Sequence, residues 1–228
     1  MKIAIMGAMP EEIAPILEKI GEYTTTKYAH NTYYEGKYAG HDLVIAYSKI
    51  GKVFSTLTAA SLIEKFGAQM LLFSGVAGGI NPELRIGDLI VATALCQHDL
   101  DITAFGHPHG YVPEGSQFIQ AEEKLIAVAN RVAKEMDITL KEGIIATGDQ
   151  FVHSQDRKNW IETTFKADAL EMEGTSVAVV CEALEVPFLI LRAISDTADM
   201  DASFNFDEFL ESSAQESAVF ILKILEKI

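Results

Sequence analysis

Residues 188–199 read FLILRAISDTAD: an unbroken apolar run from Phe188 to Leu191, then polar side chains at Arg192, Ser195, Asp196 and Asp199. A strand covered on both faces, as in a parallel sheet packed between helices, reads as continuous apolar sequence. Ligands of open α/β sheets bind just beyond the carboxyl ends of such strands. The stretch thus predicts a buried strand of an α/β fold, with Asp196 delivered to the functional edge. A cap on a following helix or turn would use the same residue, so Asp196 alone decides nothing about chemistry.

Segments on both sides repeat the arrangement. Lys2–Met6 (KIAIM) predicts a strand that stops at Gly7. In the following GAMPEEIAPILEKI, Pro10 suits a first helical turn and Glu11 and Glu12 complement the helix dipole. Ile13, Ile16, Leu17 and Ile20 recur at helical spacing. Glu12 is either dipole complementarity or, like Asp196, a carboxylate just past a strand. Thr32–Tyr38 and Asp42–Tyr47 alternate as a hairpin around Ala39-Gly40, and Gly51 opens a helix across Ser55–Phe66. Gln69–Ser74 is another buried strand, running into Gly75–Ile80 (GVAGGI). These glycines permit close backbone approach to a ligand. Their spacing is neither a dinucleotide fingerprint nor a Walker loop, and a tight turn is the plainer expectation.

Further strands are predicted at Asp88–Ala94, Lys141–Thr147 and from Ala167 to Leu170, with helices over Ala121–Met136, Asp156–Phe165 and about Phe206–Leu225. Glu171 and Glu173 flank Met172 where a strand gives way to a helix, and alternation sends the two carboxylates to different faces. Strands alternating with helices predict a three-layer α/β/α domain around a mixed central sheet, with residues 1–228 as one domain. Glu12, Glu173 and Asp196 all fall at strand–helix junctions, which favours a shared pocket over three separate caps. The polar segment Gln97–Gly115 carries His98, Asp99, Asp101, His107 and His109. Their spacing matches no metal-ligand pattern, so the expectation is no metal and a long loop that covers a site or meets a partner subunit.

Composition narrows the function. The chain has 228 residues, 49% of them hydrophobic, enough for one substantial core. Eighteen basic against 33 acidic residues give a formal charge of −15. No Lys/Arg cluster tracks phosphates, so nucleic acid is not an expected partner. Cys96 and Cys181 lie in apolar surroundings without CxxC spacing and read as reduced core residues. No signal peptide and no membrane span is predicted, which suggests a cytoplasmic protein.

With these residues in place, the chain resembles a known family. GAMPEE, SKIGKV, SGVAGG, ATGDQF, EMEG, RAISD and FDEF occur in the order and spacing of the bacterial 5′-methylthioadenosine/S-adenosylhomocysteine nucleosidases. The resemblance spans essentially the whole chain and is closest to members that also accept 6-amino-6-deoxyfutalosine. It implies a fold of the purine nucleoside phosphorylase type and a homodimer that hydrolyses the N-glycosidic bond of 5′-modified adenine nucleosides, 5′-deoxyadenosine included, without a cofactor. Carried over by position, Glu12 is the base that activates water and Asp196 the acid that protonates adenine N7, oriented by Ser195. Glu173 binds the ribose hydroxyls, with Met172 against the sugar. Phe151 stacks on adenine and the Val152 backbone meets the base edge. Ala8, Met9, Ile50, Ser74 and Gly75 surround base and sugar, and Phe206 lies by the 5′ group. Phe105 and Pro113, from the 101–115 loop, reach the neighbouring subunit's site. Two departures, Pro10 ahead of Glu12 and the histidine-rich GHPHGYVPEG, bear on the 5′ preference.

The implied chemistry is sound. Breaking a ribosyl C–N bond builds positive charge on the sugar and negative charge on the base, and two carboxyl groups with opposite tasks answer both. Glu12 is then expected ionised, and Asp196 protonated because burial raises its pKa. Phosphorolysis is the alternative, but a carboxylate aimed at the nucleophile repels phosphate, and Arg192 reads as the partner of a glutamate. A non-catalytic nucleoside-binding protein is the other.

Overall fold

The computed structural model describes residues 1–197 and 206–228, without the side chains of residues 197 and 206–208. Along the chain run β1 (Lys2–Gly7), α1 (Pro10–Ile20), β2 (Tyr23–Tyr28), β3 (Asn31–Tyr38), β4 (His41–Tyr47), α2 (Lys52–Ala60) and β5 (Met70–Gly79). Then follow β6 (Leu89–Gln97), β7 (Ile119–Gln120), α3 (Glu123–Glu135), β8 (Leu140–Thr147), α4 (Gln155–Phe165), β9 (Ala169–Glu171), α5 (Gly174–Ala183), β10 (Phe188–Thr197) and α6 (Phe206–Leu225).

The sheet is mixed, in the order β10-β6-β8-β9-β5-β1-β4-β3-β2, and β10 also pairs with β5. That extra pairing closes β10, β6, β8, β9 and β5 into a ring, from which β1, β4, β3 and β2 extend as an open wing. The apolar runs Met70–Phe73 and Phe188–Leu191 lie side by side in parallel register, Phe188 opposite Leu71 and Ile190 opposite Phe73. All of these residues are buried, as their unbroken apolar character demands. On one side α1 and α3 pack against α6; on the other α2 packs against α5.

Three expectations are corrected, and one strand is added. The tight turn at Gly75–Ile80 does not form, because β5 continues through Gly79. Asp196 is not past the end of its strand but inside β10, which runs to Thr197. The Ser55–Phe66 helix is α2, starting at Lys52, followed by a separate π-helical turn over Ser61–Lys65. The β2 strand was not anticipated at all. Its residues YTTTKY are almost wholly exposed at the edge of the wing, so no buried alternation marks them.

Candidate active site

Each carboxyl group is brought in by a different element. Glu12 sits in the first turn of α1, and its side chain turns back to accept hydrogen bonds from the Ala8 and Met9 N–H groups, with Met9 at 3.0 Å. Its other oxygen accepts from the Val76 N–H of β5 at 3.2 Å. The group is buried. Burial raises its pKa above the usual carboxylate value, while the Arg192 charge and the three N–H donors oppose the shift. Close approach requires Gly75, since a Cβ there would fall 2.9 Å from the Glu12 carboxylate.

The expectation that Glu171 and Glu173 go to different faces is corrected: residues two apart share a face, and both line one cavity, with different partners. Glu171 is the partner of Arg192 (2.8 Å) and accepts from the Glu173 and Gly174 N–H groups and from Thr147 Oγ1. Every oxygen of this buried ion pair is satisfied, the condition for tolerating such a pair in a core. Glu173, the cap residue of α5, accepts from the Gly51 N–H at 2.8 Å. Burial, reinforced by the charge of Glu171, pushes its pKa up to about 8.

Asp196 owes its position to an irregularity. The pairing of β10 with β5 slips between Ile194 and Asp196, leaving Ser195 as an extra residue. Consecutive strand residues normally point to opposite faces; a bulge re-aims one of them, and both Ser195 and Asp196 line the same cavity. Ser195 Oγ donates to Asp196 Oδ1 at 2.9 Å, and Lys158 Nζ of α4 lies 3.6 Å from Oδ2. The carboxyl rests against Gly78, where a Cβ would be 3.2 Å from its nearer oxygen. β5 therefore meets Glu12 at Gly75 and Val76 and Asp196 at Gly78, roughly 7–10 Å apart along the strand.

Burial raises the pKa of both Glu12 and Glu173. The Asp196 side chain keeps 16% exposure and faces an ammonium.

These groups open on a cavity of about 390 Å³. Of the residues assigned by resemblance, Ala8, Met9, Glu12, Ile50, Phe151, Val152, Met172, Glu173, Ser195 and Asp196 line it. Ser74 and Gly75 do not; they lie behind Glu12, beside Ser213 and Ser217 of α6. Phe105, 81% exposed, and Pro113, also exposed, are not among the described residues that line their own chain's cavity. Asp199 and the Phe206 side chain lie outside the described residues. Val76, Ala77, Gly78, Gln150 and Leu170 also line the cavity, and the reading of the residues missed them. The glycines of GVAGGI were the available signal for the first three. Lys158 left none, because a lysine on a helix usually faces water.

The histidines of the long loop serve separate contacts. His98 is buried, its pKa lowered by burial to about 4, and Arg157 donates to its carbonyl oxygen at 2.9 Å. His107 stacks on Tyr111 and His109 meets the edge of Trp160. Among the described residues no three His, Cys, Asp or Glu side chains are grouped to hold a metal ion. Cys96 and Cys181 are buried, with pKa values raised by desolvation to about 12.

A sheet ring with carboxylates converging at β5 and β10 is the architecture of one class, and the family model of the phosphorylase superfamily matches residues 2–226. The sequence is 60% identical over 228 residues to an aminodeoxyfutalosine nucleosidase from Campylobacter jejuni, covering all of both chains. It is 37% identical over 230 residues to a 5′-methylthioadenosine/S-adenosylhomocysteine nucleosidase from Anoxybacillus flavithermus, covering all of this chain and 99% of that one. The crystal structure of a Campylobacter jejuni 5′-methylthioadenosine/S-adenosyl homocysteine nucleosidase superposes with a TM-score of 0.98 at 60% identity, all of both chains covered. A native futalosine hydrolase from Helicobacter pylori does so with a TM-score of 0.97 at 52% identity, over 100% of this chain and 98% of that one. The chain belongs to the phosphorylase superfamily and, within it, to the family of these nucleosidases.

Proposed function

We propose that this protein hydrolyses the N-glycosidic bond of 5′-modified adenine nucleosides: 5′-methylthioadenosine, S-adenosylhomocysteine, 5′-deoxyadenosine and 6-amino-6-deoxyfutalosine. One observation carries hydrolysis over phosphorolysis. Among the described residues lining the cavity are the carboxyl groups of Glu12, Glu171, Glu173 and Asp196, and no lysine or arginine. A phosphate dianion entering this space would meet carboxylates and no bidentate partner, whereas water has a base waiting. The relatives' names point the same way.

In this reading, Glu12 takes a proton from water as its oxygen bonds to the anomeric carbon. The C–N bonding pair leaves with the base, and Asp196, oriented by Ser195, gives N7 a proton. A Glu12 pKa raised by burial makes its carboxylate a stronger base nearer neutral pH. Glu173 binds the sugar hydroxyls and, with Met172, faces the cationic ring. Phe151 and Val152 hold the base. No cofactor enters these steps.

We further read residues 1–228 as one cytoplasmic catalytic domain that works as a homodimer. Supporting this are apolar side chains left on the surface of α2, Val53 (75% exposed), Phe54 and Leu57, and the outward Phe105. Such a patch suits a second copy of the chain, which would bring Phe105 and Pro113 to the neighbouring cavity. Among the described residues no helix is long and apolar enough to cross a membrane.

The test is adenine release from millimolar substrate in phosphate-free buffer. Release supports hydrolysis. Release only on adding phosphate makes the protein a phosphorylase, and no release in either makes it a binding protein. kcat/KM compared across the four nucleosides then ranks them.

A further inference from the structure

Lys158 stands on α4, yet only 3% of its side chain is exposed, and its Nζ lies 3.6 Å from Oδ2 of Asp196. That is an ion-pair distance rather than a hydrogen bond. Oδ1 of the same carboxyl accepts from Ser195 Oγ, and Gly78 of β5 closes the face against both oxygens. The carboxyl is thus held on three sides, one of them by a buried cation. An ammonium in such a place is unfavourable unless its charge is answered, and an apolar side chain would fill the space at lower cost. Other ionisable groups at the cavity are Glu12 from α1 and Glu171 and Glu173 at the β9–α5 junction, while Arg192 of β10 is committed to Glu171. Among the described residues, the ion-pair partner of Asp196 is Lys158.

We propose that Lys158 is a positioning residue for departure of the base: it orients the Asp196 carboxyl and stabilises the carboxylate left when the proton passes to the purine. In that step the Asp196 O–H bond breaks, the C–N bonding pair goes to the purine and an N–H bond forms there. The negative charge ends on Asp196, beside an ammonium that keeps its own protons throughout. The inference rests on Asp196 being the acid.

Kinetics of Lys158→Met, Lys158→Arg and Asp196→Asn across pH, with 5′-methylthioadenosine as substrate, test it. Misplacing a reacting group by an ångström costs up to about a hundredfold, so Lys158→Met should lose about ten- to a hundredfold in kcat with KM within a few-fold. The alkaline limb of its kcat profile should move to higher pH, because a carboxyl without a neighbouring cation keeps its proton longer. Lys158→Arg should restore most of both. Lys158→Gln takes the place of the Met variant if that one fails to fold. The proposal is overturned if kcat stays within twofold of wild type, or if it falls with the alkaline limb unmoved and no recovery in the Arg variant. Wild-type turnover in Asp196→Asn would remove the acid itself and this inference with it. An inactive Asp196→Asn beside an unaffected Lys158→Met removes Lys158 alone.

Discussion

At the scale of single residues, the site rests on how differently its carboxyl groups are held. Glu12 receives three backbone N–H groups and is still raised in pKa by burial. Glu12→Gln should reduce kcat by about two to four orders of magnitude while leaving substrate affinity within a few-fold, measured by calorimetry on the slowed enzyme. Asp196→Asn should be similarly inactive and should lower the melting temperature, because it removes the carboxylate charge beside the buried Lys158 ammonium. Glu173 makes a different prediction. Its folded pKa of about 8 stands above the ordinary 4.5, so the folded state binds more protons than the unfolded one between those values. Its contribution to stability is complete below about pH 4.5 and is lost as pH rises toward 8. Glu173→Gln, which has no such proton to lose, should therefore gain on wild type by a few degrees in melting temperature between pH 5 and pH 9. An unchanging difference would show that Glu173 is solvated in the free enzyme.

At the scale of elements, β5 sets the geometry of the site. Its glycines are needed for closeness rather than for unusual backbone angles: Gly75 and Gly78 have no positive φ, and each lies against a carboxylate. Gly78→Ala puts a Cβ 3.2 Å from Asp196, so the carboxyl has to shift by a few tenths of an ångström. The expected result is about a tenfold loss in kcat with little change in melting temperature, whereas equal losses in both would mean that β5 itself is disturbed. Sequence made the apolar halves of β5 and β10 plain, because burial on both faces leaves a continuous hydrophobic signature. It hid their polar and glycine-rich halves, where the strands continue because they pair with each other and, at Gly78 and Gly79, with β9. That pairing also creates the bulge at Ser195, a matter of register between segments more than a hundred residues apart, which no local pattern encodes. Glu12 and Glu173 were legible as carboxylates at strand–helix junctions, and Asp196 as a carboxylate carried by its strand, though that strand runs past it. Lys158 was not, since its burial depends on where α4 docks.

At the scale of the whole molecule, the proposed dimer rests on α2, which carries solvent-facing Val53, Phe54 and Leu57. Val53→Glu should convert the dimer to a monomer in light scattering and lose most activity, because Phe105 and Pro113 would no longer reach a neighbouring cavity. An active monomer would show instead that each chain's site is self-sufficient. The start of this same helix has a second attachment. Gly51, with φ +100°, gives its N–H to Glu173, and the next N–H, of Lys52, goes to Asp149. One short turn of backbone thus touches Glu173, the carboxylate proposed to bind the sugar, on one side and leads to the proposed self-association surface on the other. Occupancy and assembly are then two linked equilibria, and linkage is reciprocal. If the proposed dimer forms, any factor by which a ligand on Glu173 changes its association is the factor by which association changes ligand affinity, and that affinity would then depend on protein concentration.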